Sequence, residues 1–416
     1  MMQGRITKKG LRAGMLAVLM TAFLGMIPIG AMAADTIKIG IVDSYVGPAA
    51  AFSKQALTAF EMAVADFNKK GGILGKKIEV LTRDDKFKVD VALSMAKELF
   101  MREKVDIFVG GSNSSNMLAI SDYLKKNKTP YFIWAGGSDK IAGEQGHRYV
   151  FHMSANTAMA GRAAALSFAK KPFKKYWIAG DDYSYGHDLA DGCWDKLKKV
   201  KPEVELIGQS WWKVGESDFT PYITQIMGAK PDAIIVAVGV MSLSPFMKAA
   251  KTTGLSDKIP FWMNTLDYPT VKAIGLGGTE GIFGTVNYLI DYPDTPANKK
   301  FVADFHKATG EYPGWFAFNS YITAQAVAEG FKKAKTLNKE KLVDALEGMT
   351  VETPTGPMKI RPYDHQLAQP IYWGVTKYVP GYDFLLVTKD VITVPADETM
   401  TSVEEIKKAR EAAQKK

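Results

Sequence analysis

Short apolar segments alternate with amphipathic helical segments along the chain, and this alternation limits the possible fold more than any other feature. Residues 37–43 are typical of a buried strand, and the helix predicted over residues 52–69 carries its apolar side chains on one face. The glycines Gly71 and Gly72 end that helix, and residues 78–80 alternate with the period of a second strand. Strands that alternate with helices predict βαβ units and a parallel sheet.

The alternation occurs in two series. The first series continues through predicted strands at residues 106–111 and 131–137, and the second begins near Ser154. Strands of the second series are expected at residues 176–180, 204–207, 233–238 and 260–263. Long helices over residues 298–309 and 316–334 and antiparallel strands over 371–378 and 384–388 follow. Two α/β series with a return segment predict two similar lobes, and a charged helix is expected at the C-terminal end.

The N-terminal segment has the features of an export signal. Four basic residues precede an apolar run at residues 15–29, and Ala31 and Ala33 fit the rule of small residues at a cleavage site. A membrane anchor is the alternative, but the run is shorter than the ~20 apolar residues that span a bilayer. With no cysteine near the site, a lipid anchor has no attachment atom. We therefore expect cleavage after Ala33 and a soluble protein in the periplasm.

Composition narrows the class of protein further. The chain has one cysteine, Cys193, so it cannot form an internal disulfide and the fold does not depend on one. Without the four basic residues of the signal, 49 basic residues face 44 acidic ones. This small excess is scattered in pairs such as Lys69 and Lys70, which is typical of solvated helix faces. The sequence thus predicts no nucleic-acid partner.

The loops that follow the predicted strands are the expected location of a ligand. Open α/β sheets bind ligands beyond the carboxyl ends of their strands. The loop at residues 110–115 follows a strand and enters a helix, and its backbone N–H groups and hydroxyls suit a carboxylate. The alternative is an ordinary Ser/Asn helix cap without a ligand.

Six short motifs occur in a fixed order along the chain. They are Gly47-Pro48, Gly71-Gly-Ile-Leu-Gly, Asp84-Asp85, Gly110-Gly-Ser-Asn-Ser-Ser, Gly180-Asp-Asp-Tyr-Ser-Tyr-Gly and Thr355-Gly-Pro. Each motif is weak alone, but the ordered set behind an export signal is specific. It resembles the leucine/branched-chain amino acid-binding proteins, which are type I periplasmic receptors of ABC transporters, and the resemblance spans about residues 35–388.

The resemblance implies an α/β fold of two Rossmann-like lobes with parallel central sheets joined by three hinge crossovers. We place the crossovers near Ser154, Thr285 and Pro354. The predicted organisation is a signal peptide at residues 1–33, an N-terminal lobe at 35–153 and 286–353, a C-terminal lobe at 154–285 and 354–395, and a charged helical tail at 396–416.

The resemblance also implies a set of ligand-binding residues. The serine that matches Ser114 holds the ligand's α-carboxylate in the family, and the loop after the next strand contacts the carboxylate and the amino group. That loop has Gly137 where many relatives carry a hydroxyl residue, which leaves Ser138 to replace the contact. The predicted ligand-binding residues are Phe52, Ser114, Ser115, Ala135, Gly136, Gly137, Ser138, Tyr185 and Asp267.

Aromatic residues of the family that cover the ligand match Phe52 and Tyr185, from the two lobes. Aromatic side chains supply apolar area at low cost in conformational entropy. Phe52 could equally be the first core residue of its helix, and Tyr183 could exchange roles with Tyr185. Phe316 matches an aromatic near the ligand's side-chain end, although its helical spacing is more typical of the core.

The sequence departs from the family at two positions. The acidic residue that binds the ligand's ammonium group corresponds to Asn264, with Asp267 three residues further on. The family's tyrosine in a neighbouring loop corresponds to Gly239, which enlarges or reshapes the pocket. If Asp267 does not reach the ligand, an aromatic or aliphatic acid without an amino group becomes the better candidate than an amino acid.

Motifs of enzymes are missing. The sequence has no Gly-x-Ser-x-Gly elbow and no Walker motif, and its five histidines lack the spacing of metal ligands. We therefore predict a binding protein with no catalytic residue, metal or cofactor. It would capture a branched-chain, apolar or aromatic amino acid, or a related carboxylate, for the permease subunits of an ABC importer. The alternatives are a sensor for a membrane receptor and, less favoured, an exported α/β hydrolase.

Overall fold

The computed structural model describes residue 1 and residues 36–47, 49–275 and 280–415. Beyond residue 1, the predicted signal peptide and its cleavage after Ala33 lie outside the described residues, as does Pro48. The strands are β1 (Ile37–Asp43), β2 (Ile78–Asp84), β3 (Ile107–Gly110), β4 (Tyr131–Ile133), β5 (Val150–His152), β6 (Lys175–Asp181), β7 (Glu205–Trp212), β8 (Ala233–Ala237), β9 (Phe261–Asn264), β10 (Phe283–Val286), β11 (Thr350–Val351), β12 (Met358–Lys359), β13 (Ile371–Tyr378) and β14 (Leu385–Val394).

The helices alternate with the strands over most of the chain. They are α1 (Ala50–Lys69), α2 (Val89–Met101), α3 (Ser114–Lys126), α4 (Thr157–Ala169), α5 (Ser184–Val200), α6 (Thr220–Ala229), α7 (Val240–Thr252), α8 (Leu255–Lys258), α9 (Tyr268–Ile274), α10 (Pro296–Thr309), α11 (Trp315–Ala334), α12 (Lys339–Leu346), α13 (Ala396–Thr399) and α14 (Val403–Gln414).

Two sheets organise the protein. The first has the order β2-β1-β3-β4-β5 and is parallel throughout. The second has the order β14-β13-β10-β9-β8-β6-β7, in which β6 to β10 are parallel and β13 and β14 are antiparallel. Strands β3, β4 and β8 are apolar and fully buried, as expected where helices cover both faces. The predicted α/β fold with parallel sheets is confirmed.

The helices that follow the second sheet return to the first. Helix α11 packs along α1, where the Ser320 hydroxyl donates to the carbonyl oxygen of Ala56 at 2.7 Å. Further along the chain, Gln366 forms an isolated parallel β-bridge with His152, which lies at the edge of the first sheet. The amide of Leu367 donates to the His152 carbonyl. The chain returns to the second sheet only at Ile371. The predicted lobe boundaries stay a prediction, and this pairing leads us to propose a third crossover at residues 367–371 instead of near Pro354.

The C-terminal helix is attached to the rest of the protein at several points. A capping box of Ser402 and Glu405 begins α14, and Ile406 is its buried residue. The guanidinium of Arg410 donates to the carbonyl oxygens of Ala142 and Gly143, each at 2.9 Å. Among the described residues, no helix has the length and apolar character needed to cross a bilayer.

Candidate ligand-binding site

A buried carboxylate organises the loops at the carboxyl edge of the first sheet. Asp43, the last residue of β1, accepts hydrogen bonds from the Trp134 indole at 3.0 Å, the Ser53 hydroxyl at 3.0 Å and the Gly111 amide at 3.3 Å. Burial raises the pKa of Asp43, and the hydrogen bonds oppose that rise. The donors come from α1 and from the loops after β3 and β4, so one side chain fixes the relative positions of three segments.

The second sheet has a matching carboxylate. Asp181, the last residue of β6, accepts from the Trp212 indole at 2.8 Å, the Ser242 hydroxyl at 2.5 Å and the Gly239 amide at 2.8 Å. It is fully buried, and burial raises its pKa. Sequence analysis missed both aspartates as organising residues, although each ends the first strand of an α/β series.

The loop before α3 brings Ser114 and Ser138 together. The Ser138 amide donates to the Ser114 hydroxyl oxygen at 3.2 Å, which joins the loops that follow β3 and β4. The side chain of Asn113 caps α3 by accepting from the amides of Ser115 and Asn116. The expectation that this helix end has free N–H groups is therefore wrong for those two amides, because Asn113 already satisfies them. Ser115 itself is exposed.

The glycines of the next loop contact residues around the crossover. The Gly136 carbonyl accepts from His152 at 2.5 Å, and the Gly137 carbonyl accepts from the Thr157 amide at 2.8 Å and hydroxyl at 2.9 Å. Ala135, which precedes them, is buried. The loop is thus held at its carbonyls by the residues that lead into α4, which sequence analysis did not identify.

Tyr185 connects this loop with the second sheet. A methyl group built on Gly137 would lie 3.3 Å from the Tyr185 ring. The Tyr185 hydroxyl accepts from the Asn264 side-chain amide at 3.2 Å, and the Asn264 oxygen accepts from the Thr285 hydroxyl at 2.9 Å. Gly137 and Tyr185, which are predicted to come from opposite lobes, therefore lie together. The side-chain oxygen of Asn264 and one of its N–H groups are already hydrogen-bonded to other residues of the protein.

Asp267 lies at the start of α9 and faces the start of α11. One of its carboxylate oxygens accepts from the Trp315 amide at 3.1 Å, and the other has no hydrogen-bond partner. The side chain is 3% exposed, and burial raises its pKa to about 6. A methyl group built on Gly314 would lie 2.6 Å from the bonded oxygen, so Asp267 packs closely against the first turn of α11.

The aromatic residues Phe52 and Phe316 pack against each other. Their ring centroids are 5.3 Å apart, and each side chain is 6% exposed. They belong to α1 and α11, so the contact is part of the core between these helices. Their role in covering a ligand stays a prediction.

Metal-ligating groups and two surface cavities were compared with these loops in the part of the chain that the structure describes. No group of three or more His, Cys, Asp or Glu side chains in this part could hold a metal ion. Two surface cavities, each of about 270 Å³, border the C-terminal helix α14. Neither is lined by Ser114 or Tyr185, so they are separate from the loops described above.

Comparison with known proteins gives a consistent result. A family model described as periplasmic binding protein matches residues 36–377. The chain is 26% identical to a Leu/Ile/Val-binding protein homolog of Brucella abortus, over 81% of this chain and 83% of that protein.

Two solved structures from Rhodopseudomonas palustris are each 26% identical to this chain. One is a solute-binding protein of an ABC transporter in complex with 3,4-dihydroxybenzoic acid, with a TM-score of 0.78 over 87% of this chain and 98% of that chain. The other is an ABC-type branched-chain amino acid transporter protein, with a TM-score of 0.75 over 88% of this chain and 99% of that chain.

Proposed function

This chain belongs to the periplasmic binding protein family, and on that basis we propose that it is the receptor of an ABC importer for a small carboxylate. The protein is exported and its signal is cleaved after Ala33. Its two lobes close around the ligand, and the closed form is recognised by the permease subunits in the membrane. Hinge closure around a ligand is an established behaviour of periplasmic binding proteins.

The observation that supports this function most strongly is the meeting of loops from both sheets. Ser114 and Ser138 are in contact, and Gly137, in the same loop as Ser138, lies against Tyr185 from the second sheet. A ligand held by these residues would contact both halves of the molecule at once. Its binding energy would therefore favour the closed arrangement, which is the requirement for a receptor that signals occupancy by its shape.

The charge and the hydrogen bonds of the Asn264 side chain indicate which class of ligand the site favours. Its side chain is neutral and already bonded to Tyr185 and Thr285, so the position that provides an acid in the family provides none here. Asp267 is directed to the amide of Trp315. These contacts favour an aromatic or aliphatic acid without an ammonium group, like the dihydroxybenzoate of the similar solute-binding protein. An amino acid remains the second candidate because one oxygen of Asp267 is unpartnered.

A ligand panel tests the proposal. Protein isolated from the periplasm is screened by thermal shift against benzoate, 4-hydroxybenzoate, L-leucine and L-phenylalanine, and intact mass tests cleavage after Ala33. A ligand at 100 times its Kd adds about 2.7 kcal/mol of stability, which a melting curve resolves. Failure of every carboxylate to bind would contradict the proposed function.

Ser114→Ala tests the carboxylate site within that panel. Loss of a hydrogen bond to a charged group costs about 1.5–3 kcal/mol, so we expect calorimetry to give an affinity reduced about 10-fold or more. Ser94→Ala is the matched control, because Ser94 is exposed and lies within helix α2 instead of in a loop that follows a strand. Equal affinities of the two variants would remove Ser114 from the site.

Further assays separate transport from its two alternatives, a sensor for a membrane receptor and an exported α/β hydrolase. Uptake of the labelled ligand in proteoliposomes that contain the permease and ATPase subunits supports an importer, whereas binding without uptake supports a sensor. We propose that the protein has no catalytic activity. Hydrolysis of a model ester that disappears on a point substitution would overturn that statement.

A further inference from the structure

Tyr183 occupies space that a side chain at position 239 would need. A methyl group built on Gly239 would lie 2.4 Å from the Tyr183 hydroxyl oxygen, far inside van der Waals contact. Gly239 has φ of −84°, a value open to any residue, so backbone conformation does not require a glycine there. A side chain at this position would therefore have to displace the hydroxyl end of Tyr183.

Two tyrosines at the N-terminal end of α5, Tyr183 and Tyr185, form a stacked pair. The rings of Tyr183 and Tyr185 have centroids 5.9 Å apart and planes inclined by 19°. The hydroxyl end of Tyr183 packs against Gly239, and the ring of Tyr185 packs against Gly137, so both tyrosines use space that a glycine leaves open. Burial of its hydroxyl end raises the pKa of Tyr183 above the ordinary value.

The position of the pair connects it with the ligand site. Tyr183 follows Asp181, the carboxylate that orders the loops at the carboxyl edge of the second sheet, and its side chain remains 40% exposed. Tyr185 touches the loop that contains Ser138. A flat, partly exposed aromatic surface therefore lies beside the proposed carboxylate site. A planar ring can extend such a stack, whereas a branched aliphatic group cannot lie flat against it.

We propose that Tyr183, whose hydroxyl end packs against Gly239, is a specificity-determining residue. It selects planar aromatic acids over amino acids with branched aliphatic side chains. This inference rests on the proposed function as a carboxylate receptor. Gly239 acts through Tyr183, because it provides the space in which the ring is held.

Calorimetry with 4-hydroxybenzoate and L-leucine as probes tests the inference on four variants. Tyr183→Ala removes the ring, Tyr183→Phe keeps the ring without its hydroxyl, and Gly239→Ala displaces the end of the Tyr183 side chain. The matched control is Gly228→Ala, because a methyl group built there meets nothing within 4 Å. Melting temperatures measured without ligand show that each variant is folded.

The wild-type protein is expected to prefer 4-hydroxybenzoate. Tyr183→Ala and Gly239→Ala should reduce that preference at least 10-fold, whereas Tyr183→Phe and Gly228→Ala should keep it within about 3-fold. Carboxylate binding with a preference unchanged by Tyr183→Ala, or a wild-type protein that binds L-leucine more tightly, would overturn this inference alone. Absence of binding to any carboxylate would overturn the proposed function and this inference with it.

Discussion

At the residue scale, the site depends on carboxylates that are buried among hydrogen-bond donors. A buried charge is unfavourable unless donors replace the water that it loses. Asp43 and Asp181 each receive an indole N–H, a serine hydroxyl and a glycine amide. These bonds keep the binding loops ordered before any ligand arrives, which reduces the entropy lost on binding.

Replacement of Asp43 by alanine should destabilise the fold strongly. The change leaves the Trp134 indole and the Ser53 hydroxyl buried without their acceptor, and each unsatisfied group costs about 1–3 kcal/mol. Urea unfolding should therefore show a loss of about 3 kcal/mol or more. Asp383→Ala, at an exposed carboxylate, should change stability by less than about 0.5 kcal/mol. Similar losses in the two variants would contradict this account of Asp43.

The pKa of Asp267 predicts a pH dependence. It is raised from 3.8 to about 6, so the folded protein holds a proton at pH values where the unfolded chain has released it. Above pH 6 the ionised carboxylate lowers the free energy of unfolding by about 3 kcal/mol. This loss is recovered as the pH falls from about 6 to 3.8, because the folded protein then binds a proton at Asp267. Asp267→Asn should thus be more stable than wild type at pH 8, with a difference that shrinks towards pH 4. Urea unfolding at both pH values checks this, and a constant difference would contradict it.

A contact between two residues can be predicted from the sequence where it follows from their positions at strand ends. Ser114 and Ser138 follow neighbouring strands of one sheet, so their meeting follows from topology. The capping of α3 by Asn113 and the packing of Tyr183 on Gly239 depend on side-chain rotamers. Periodicity and motif spacing carry no information about rotamers, so sequence analysis could not decide between these contacts and their alternatives.

At the element scale, helices and central strands could be predicted and short edge elements could not. The predicted helices at 298–309 and 316–334 correspond to α10 and α11 within two residues. Strands β5, β11 and β12 have only two or three residues each, and unlike β4 they lie in no longer apolar run that predicts a strand. Their pairing depends on neighbours distant in sequence, such as Gln366 beside His152.

The C-terminal helix offers a test at this scale. Arg410 donates to the carbonyls of Ala142 and Gly143, which follow the loop that contains Ser138. Arg410→Ala removes both bonds, so we expect faster amide hydrogen exchange in α14 and in residues 139–147. The control is Lys408→Ala, at an exposed residue on the same helix. Unchanged exchange in both segments would show that Arg410 does not hold the helix.

At the scale of the whole molecule, the ordered motifs were sufficient to predict the family, and the match over residues 36–377 confirms it. Motifs do not determine how far the two halves approach each other, because that depends on surface contacts. The loop before α11 is tied to α1 through Gln55, whose oxygen accepts from the Gly314 amide at 3.0 Å. The same loop contacts α9 on the second sheet, where Tyr268 packs against Tyr312.

Glu311 provides the charged part of that contact and gives the last prediction. It accepts from Lys272 at 2.6 Å and from the Tyr268 hydroxyl, so it joins the loop before α11 to α9, which we predict to lie in different lobes. An exposed ion pair contributes up to about 1 kcal/mol, and under the proposed lobe closure its loss should lower the population of the closed form. Glu311→Gln should therefore weaken ligand binding by about 3- to 5-fold, although Glu311 is not among the predicted ligand-binding residues.

The control for Glu311→Gln is Asp304→Asn, which breaks the Lys300–Asp304 pair within α10. That pair joins residues of one helix, so its loss should leave both affinity and closure unchanged. Calorimetry measures the affinity, and small-angle scattering of the ligand-free protein should give a larger radius of gyration for Glu311→Gln than for the control. Equal affinities and equal radii in the two variants would mean that Glu311 does not hold the halves together, because a contact that spans a hinge must affect both measurements when it is removed.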